Sequence, residues 1–109
     1  MINSAASLNF EEDMDVAIRV NTTGVLQLLK LAEDSPNMEA FVQVSTNSVN
    51  CDRTGHVEEK FYDSGIDWQQ EYKKLVKMGK GDLLANRERI LGSFPNAYCY
   101  TKRMTEHLL

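Results

Sequence analysis

The sequence has no surplus of positive charge, no long apolar run and no cluster of metal-ligating residues, and each absence removes a class of function. Twelve Lys and Arg stand against sixteen Asp and Glu, a formal charge of −4. That balance gives no reason to expect nucleic acid or an anionic membrane surface as a partner. No stretch approaches the roughly 20 apolar residues of a membrane helix. Met1 to Asp13 lacks the basic run and apolar core of a secretory signal and ends on Glu11, Glu12 and Asp13. Only two cysteines occur, Cys51 and Cys99, far apart and not in a Cys-x-x-Cys pattern. A disulfide between them stays open in principle, but the reduced thiols of an intracellular protein are the expected state. His56 and His107 have no ligand-spaced partners, so no metal site is expected.

What is present suits one domain at most: 109 residues, 42% of them hydrophobic. Ile2 to Ser7 is short and small-sided and reads as a strand end running into a loop. A helix is expected from Glu11–Asp15, where carboxylates suit the positive end of the helix dipole. Met14, Ala17, Ile18, Val25, Leu28, Leu29 and Ala32 recur along one face. Val20, Leu26 and Leu31 widen that face and predict burial on more than one side. Ser35-Pro36-Asn37 ends the helix, because proline disfavours helical geometry in the residue before it. Glu39 to Thr46 is a β-branched and aromatic run of strand length. Strand, crossover helix and strand make a βαβ unit, which implies an α/β fold with a parallel sheet.

Farther along, Asp67–Met78 and Asp82–Leu91 each read as helical and are separated by Gly79-Lys80-Gly81. Their charged residues suggest solvated faces. The two glycines are a helix-breaking turn rather than a nucleotide loop, since Leu84 stands where the next glycine is required and no strand precedes them. Pro95 to Leu109 reads as a helix opened by proline near its first turn. There is no internal repeat.

Of the four tyrosines, only Tyr98 has a lysine four residues later, Lys102. On a helix that spacing puts both side chains on one face, about one turn apart. A free tyrosine has a pKa of about 10, and a nearby ammonium favours the phenolate and makes the phenol a usable acid and base. Carbonyl reduction needs such a group, because hydride arriving at carbon leaves an alkoxide that must take a proton. Lysine can also donate to the ribose hydroxyls of a nicotinamide cofactor. Alone, the pair is better read as a half-buried tyrosine with a surface lysine beside it. Ser45-Thr46 sharpens it: ligands of doubly wound sheets lie beyond the carboxyl ends of the strands, where a hydroxyl can hold a substrate carbonyl oxygen. The plainer reading of Ser45-Thr46 is a strand end capped by its own hydroxyls.

The ordering resembles the extended short-chain dehydrogenase/reductase superfamily and, within it, the alcohol-forming fatty acyl-CoA reductases. The resemblance is carried by Ile2 to Phe10, Val20-Asn21-Thr22-Thr23-Gly24, Val42-Gln43-Val44-Ser45-Thr46, Val49-Asn50, Gly55 to Glu59, and Pro95 to Lys102. It implies a partial Rossmann-like doubly wound sheet, residues 1–109 being the central part of one NAD(P)-binding reductase domain with a variable helical insertion at about 62–91. It implies NADPH as cofactor and reduction of a long-chain acyl-CoA through an aldehyde to a fatty alcohol. Tyr98 is then the acid/base, Lys102 its ribose-binding partner, and Thr46 the catalytic hydroxyl, with Ser45 the lesser candidate. Ser4, Ala5 and Ala6 lie along the adenosine side of the cofactor. Asn21 organises the crossover helix or joins a proton relay. One departure is Ser48, where relatives carry an aromatic residue before Val-Asn, which bears on the substrate side. Cys99 reads as packing rather than as a nucleophile.

The glycine-rich phosphate loop of that family is absent from these residues. The expectation is therefore a fragment, poorly soluble and inactive alone, of an intracellular protein. Peroxisomal or endoplasmic-reticulum membrane association of the parent is left open. Competing readings are a sterol or sugar-nucleotide reductase of the same superfamily and a non-catalytic interaction module.

Overall fold

The computed structural model describes residues 1–109. Two short strands, β1 (Ile2–Asn3) and β2 (Val42–Gln43), pair in parallel with Ile2 opposite Val42 and Asn3 opposite Gln43. Both carboxyl ends therefore lie on one edge, and the α/β reading with a parallel pair holds. The strand expected over 39–46 is realised only at Val42–Gln43. A ladder extends no farther than its partner, and β1 offers only the Met1 and Asn3 carbonyls, which accept from Val42 N and Val44 N at 2.8 and 2.9 Å. An Asn3–Gln43 side-chain bond of 2.7 Å reinforces the register.

The crossover between the strands is a helical run in three parts. Helix α1 (Met14–Ile18) passes into a π-helical segment, Arg19–Thr23, and then into α2 (Gly24–Glu33). Helical periodicity anticipates the run but not the π turn. Met14, Ala17, Ile18, Val25 and Ala32 are buried, as the apolar stripe predicts. Val20 and Leu31 are not: they are 38% and 57% exposed. Burial on a second side would need a covering layer, and the small sheet leaves even its own Ile2, Val42 and Val44 exposed.

A 3-10 turn, Asn47–Asn50, follows β2. Three short helices come next, α3 (Trp68–Leu75), α4 (Lys80–Ala85) and α5 (Arg87–Leu91). The helix expected at 82–91 is divided at Asn86, whose amide donates to Asp82 O at 2.8 Å. Gly92, at φ 55°, ends α5. The lysines and Arg89 here are solvated and Arg87 is half-buried, donating to Glu12 O at 2.9 Å, but Trp68, Leu75, Leu83 and Leu91 enter the main apolar cluster. Fully burying a side chain of this size stabilises by about 1.5–3 kcal/mol, so the segment is built into the core and is not an appendage.

Helix α6 (Ala97–Leu108) is the centre of the molecule, with every residue from Ala97 to Thr105 buried. Asn96 caps it by accepting from Cys99 N at 2.9 Å, so Pro95 lies just before the cap and outside the first turn. Trp68 packs its ring on Tyr100 and His107, with centroids 5.4 and 5.7 Å away, and Phe94 on Tyr100 at 5.6 Å. No helix of the chain is long and apolar enough to cross a membrane.

Candidate functional site

A helix buried on all sides must satisfy its polar side chains internally, and α6 does so against the π segment. Thr105 Oγ1 lies 2.7 Å from Asn21 O, 2.8 Å from Thr101 O and 3.0 Å from Thr22 Oγ1. A π turn breaks the regular i→i−4 ladder, and the Asn21 carbonyl within it receives the threonine hydroxyl. Asn21 Nδ2 donates to Thr101 Oγ1 at 3.2 Å, while Asn21 Oδ1 accepts from Ser7 N at 2.8 Å. One asparagine thus joins the loop after β1 to α6.

That loop carries Ser4, Ala5 and Ala6 on the carboxyl edge of the sheet. Ser4 and Ala5 are exposed, Ala6 is half-buried, and Ala5 N donates to Asn3 Oδ1 at 3.2 Å. On the same edge, after β2, Thr46 Oγ1 accepts from Ser48 N at 3.2 Å as cap of the 3-10 turn. This is the bond of the plainer capping reading, and it leaves the Thr46 hydroxyl hydrogen free to donate elsewhere. Ser45 Oγ is buried with no partner.

Lys102 reaches the edge from α6. Its Nζ donates to Val44 O at 2.7 Å, immediately before the two hydroxyl residues. Burial holds its pKa below the ordinary lysine value, against the opposing pull of Glu106 one turn on. Tyr98 is buried, with the Phe10 ring 5.3 Å from its own. No hydrogen bond joins Tyr98 to Lys102 or Thr46. The structure therefore gathers Ser4–Ala6, Ser45, Thr46 and Lys102 along one edge, with Tyr98 a turn earlier on the same helix as Lys102. An open cleft of about 840 Å³ has Ser45, Thr46, Asn50 and Phe61 among its walls, but neither Tyr98 nor Lys102.

A dinucleotide fits this edge in part. Small side chains at 4–6 leave the backbone approachable, Lys102 has used one of three donors, and the orphaned Ser45 hydroxyl has hydrogen-bonding capacity to spare. No group in the chain matches the phosphate-cradling glycine turn.

Arg103 escaped the sequence reading. It is 1% exposed, and its Nη1 donates to Val49 O at 3.2 Å and to Asn50 Oδ1. Its Nη2 donates to Tyr62 O at 2.7 Å and its Nε to His107 Nε2 at 3.2 Å. The available signal was an arginine four residues after Cys99 and four before His107, next to Lys102 on one helix.

A parallel strand pair with a helical crossover, opening its carboxyl edge to small and hydroxyl-bearing loops, defines an α/β domain. The chain belongs to the NAD-binding family described as male sterility protein, whose model matches residues 1–109. It is 29% identical to fatty acyl-CoA reductase wat of Drosophila melanogaster over 109 residues, covering 100% of this chain and 21% of that protein. Fatty acyl-CoA reductase 1 of Gallus gallus is 33% identical over 111 residues, and that of Homo sapiens 30% over 109, each again covering 100% of this chain and 21% of the relative. The chain thus spans about a fifth of the length of the curated relatives it matches. No solved structure matches it. Membership of an NAD-binding family assigns a nicotinamide cofactor to the class.

Proposed function

We propose that this chain is the central part of the nucleotide-binding domain of a reductase, with a Rossmann-like sheet and a helical insertion at about 62–91. The protein would turn long-chain acyl-CoA into fatty alcohol with NADPH. Supporting the substrate class, the relatives just described are named fatty acyl-CoA reductases. The observation that carries the chemistry is the Lys102 Nζ bond to Val44 O, which ties the Tyr98 helix to the strand end bearing Ser45 and Thr46.

The roles follow from position and acid–base character. When bound, a nicotinamide cofactor would supply hydride to the acyl carbon. Ser4, Ala5 and Ala6 would line its adenosine half, and Lys102 would offer its two remaining hydrogens to ribose hydroxyls. Thr46 donates to the substrate carbonyl oxygen and stabilises its growing charge. The first reduction would expel CoA as a thiolate, which takes a proton from solvent, and would leave an aldehyde for a second hydride. In the second, the Tyr98 phenol gives its proton to the alkoxide oxygen and is reprotonated from solvent.

The reading is tested by supplying full-length protein carrying this segment with NADPH and, in parallel, a long-chain acyl-CoA, a sugar nucleotide and a sterol. Oxidation of NADPH with release of CoA thiol is expected for the acyl-CoA alone. Turnover of either other substrate in its place would overturn it.

A further inference from the structure

Adjacent residues of α6 reach opposite sides of the Ser45-Thr46 pair. Lys102 Nζ takes the carbonyl of Val44, one residue before the pair. Arg103 takes Val49 O and Asn50 Oδ1, in the 3-10 turn whose cap is Thr46. The hydroxyl segment is thus bracketed by charge-assisted bonds from two adjacent residues of one helix. The Arg103 grip is the broader of the two. A second arm of its guanidinium holds Tyr62 O, its third nitrogen donates to His107 Nε2, and the Asp52 carboxylate lies 3.8 Å from Nη1.

A surface arginine serving solubility would not be buried among four acceptors. A purely packing residue would not be charged, because a buried guanidinium pays a desolvation penalty that only complete pairing offsets. The planar fork also fixes direction as well as distance, which a lysine ammonium cannot do. Three of the four hydrogen bonds end on the turn that Thr46 caps or on the loop that follows it, and the fourth, to His107, stays within α6.

We infer that Arg103 is a positioning residue, which holds the 46–50 turn against α6 so that the Thr46 hydroxyl keeps a fixed place relative to Tyr98. The inference rests on the reductase reading and goes beyond it by assigning a role to a residue outside the Tyr-x-x-x-Lys pair. Arg103 does not touch substrate; it acts through Thr46.

The test is a double-mutant cycle in full-length protein carrying this segment, with NADPH and a long-chain acyl-CoA. Arg103→Lys keeps the charge and loses the fork. A displacement on the order of 1 Å at a reacting group costs about a hundredfold in rate, so kcat should fall by about ten- to a hundredfold, with NADPH affinity within about twofold of the parent. In a Thr46→Ala background, Arg103→Lys should cost at most about twofold more, because the hydroxyl it positions is gone. Equal losses in both backgrounds would overturn the inference, as would a Thr46→Ala variant with undiminished kcat. Should Arg103→Lys not fold, Asn50→Ala removes one acceptor from the far side and should show the same dependence on Thr46; additive behaviour there is equally fatal. A Tyr98→Phe control run alongside separates the two readings. If that variant turns over normally the reductase chemistry fails, whereas if it is dead and the cycle is additive only the role of Arg103 fails.

Discussion

Replacing Thr105 with valine keeps the shape of the side chain and removes one hydroxyl at the junction of α6 and the π segment. Thr105 is 1% exposed, so water cannot take the place of the lost group. In the parent its hydroxyl meets Asn21 O at 2.7 Å, Thr101 O at 2.8 Å and Thr22 Oγ1 at 3.0 Å. Thr22 Oγ1 retains Thr101 O at 3.3 Å after the change, so it is the Asn21 carbonyl that loses its side-chain donor. A buried polar group deprived of its partner costs about 1–3 kcal/mol, and no cavity opens to add to that. Hydrogen exchange followed by peptide mass spectrometry reads the loss locally. Amides of 97–108 and of 19–24 should exchange roughly 5- to 150-fold faster. Thr105→Ser, which keeps the hydroxyl and loses a methyl worth about 0.8 kcal/mol, should change exchange by only about fourfold. Valine exchange within about twofold of the parent would refute the view that hydroxyl bonds, rather than shape alone, dock the two helices.

Other consequences can be checked independently. Trp68→Ala removes a ring packed against Phe94, Tyr100 and His107 and should cost about 3–5 kcal/mol; chemical denaturation with an unchanged midpoint would contradict its place in the core. Burial, helped by the Arg103 charge, lowers the His107 pKa. With the folded value below the unfolded one of about 6.5, stability is full above that pH and is lost as pH falls through about 6.5 toward the folded pKa; protection at 105–109, taken relative to the intrinsic exchange rate at each pH, should fall on acidification, and His107→Gln should abolish that fall. Cys51 is exposed as a residue, yet burial of its thiol and the neighbouring Cys99 sulfur push its pKa up to about 12. Its alkylation at pH 8 should then run at least about a hundredfold slower than that of a free thiol, with Cys99→Ala relieving part of the difference. The 109-residue chain expressed alone presents Ile2, Val42 and Val44 at 75%, 49% and 46% exposure on its sheet and should self-associate; a monodisperse monomer by light scattering would contradict this.

The elements that could be read from the sequence are those whose signals are local. The stripe Met14–Ala32 encodes a helix buried on one side, Pro95 marks the start of α6 to within two residues although it lies before the cap, and the β-branched and aromatic run at 39–46 contains β2. The features that could not be read depend on residues far apart. The π turn at Arg19–Thr23 meets a partner more than eighty residues later, Thr105, whose hydroxyl donates to the Asn21 carbonyl within it. The shortening of β2 reflects the two-residue length of its partner. At the site, Tyr98 and Lys102 are visible as a spacing and Ser45-Thr46 as a strand end, because each is a short pattern. Arg103 carries no pattern: its importance lies in acceptors drawn from positions 49, 50, 62 and 107, which only folding brings together. Ser45, ranked behind Thr46 on resemblance, is the one whose hydroxyl is buried without a partner.

The most direct measurement is turnover of long-chain acyl-CoA by the Tyr98→Phe variant of full-length protein carrying this segment, with NADPH binding followed by nicotinamide fluorescence in the same samples. Phenylalanine keeps the ring against Phe10 and removes only the phenolic hydroxyl. Loss of acid catalysis by about 10²–10⁴-fold, with NADPH binding within about twofold of the parent, is the expected result. Turnover within about twofold of the parent would contradict the assignment of proton transfer to Tyr98.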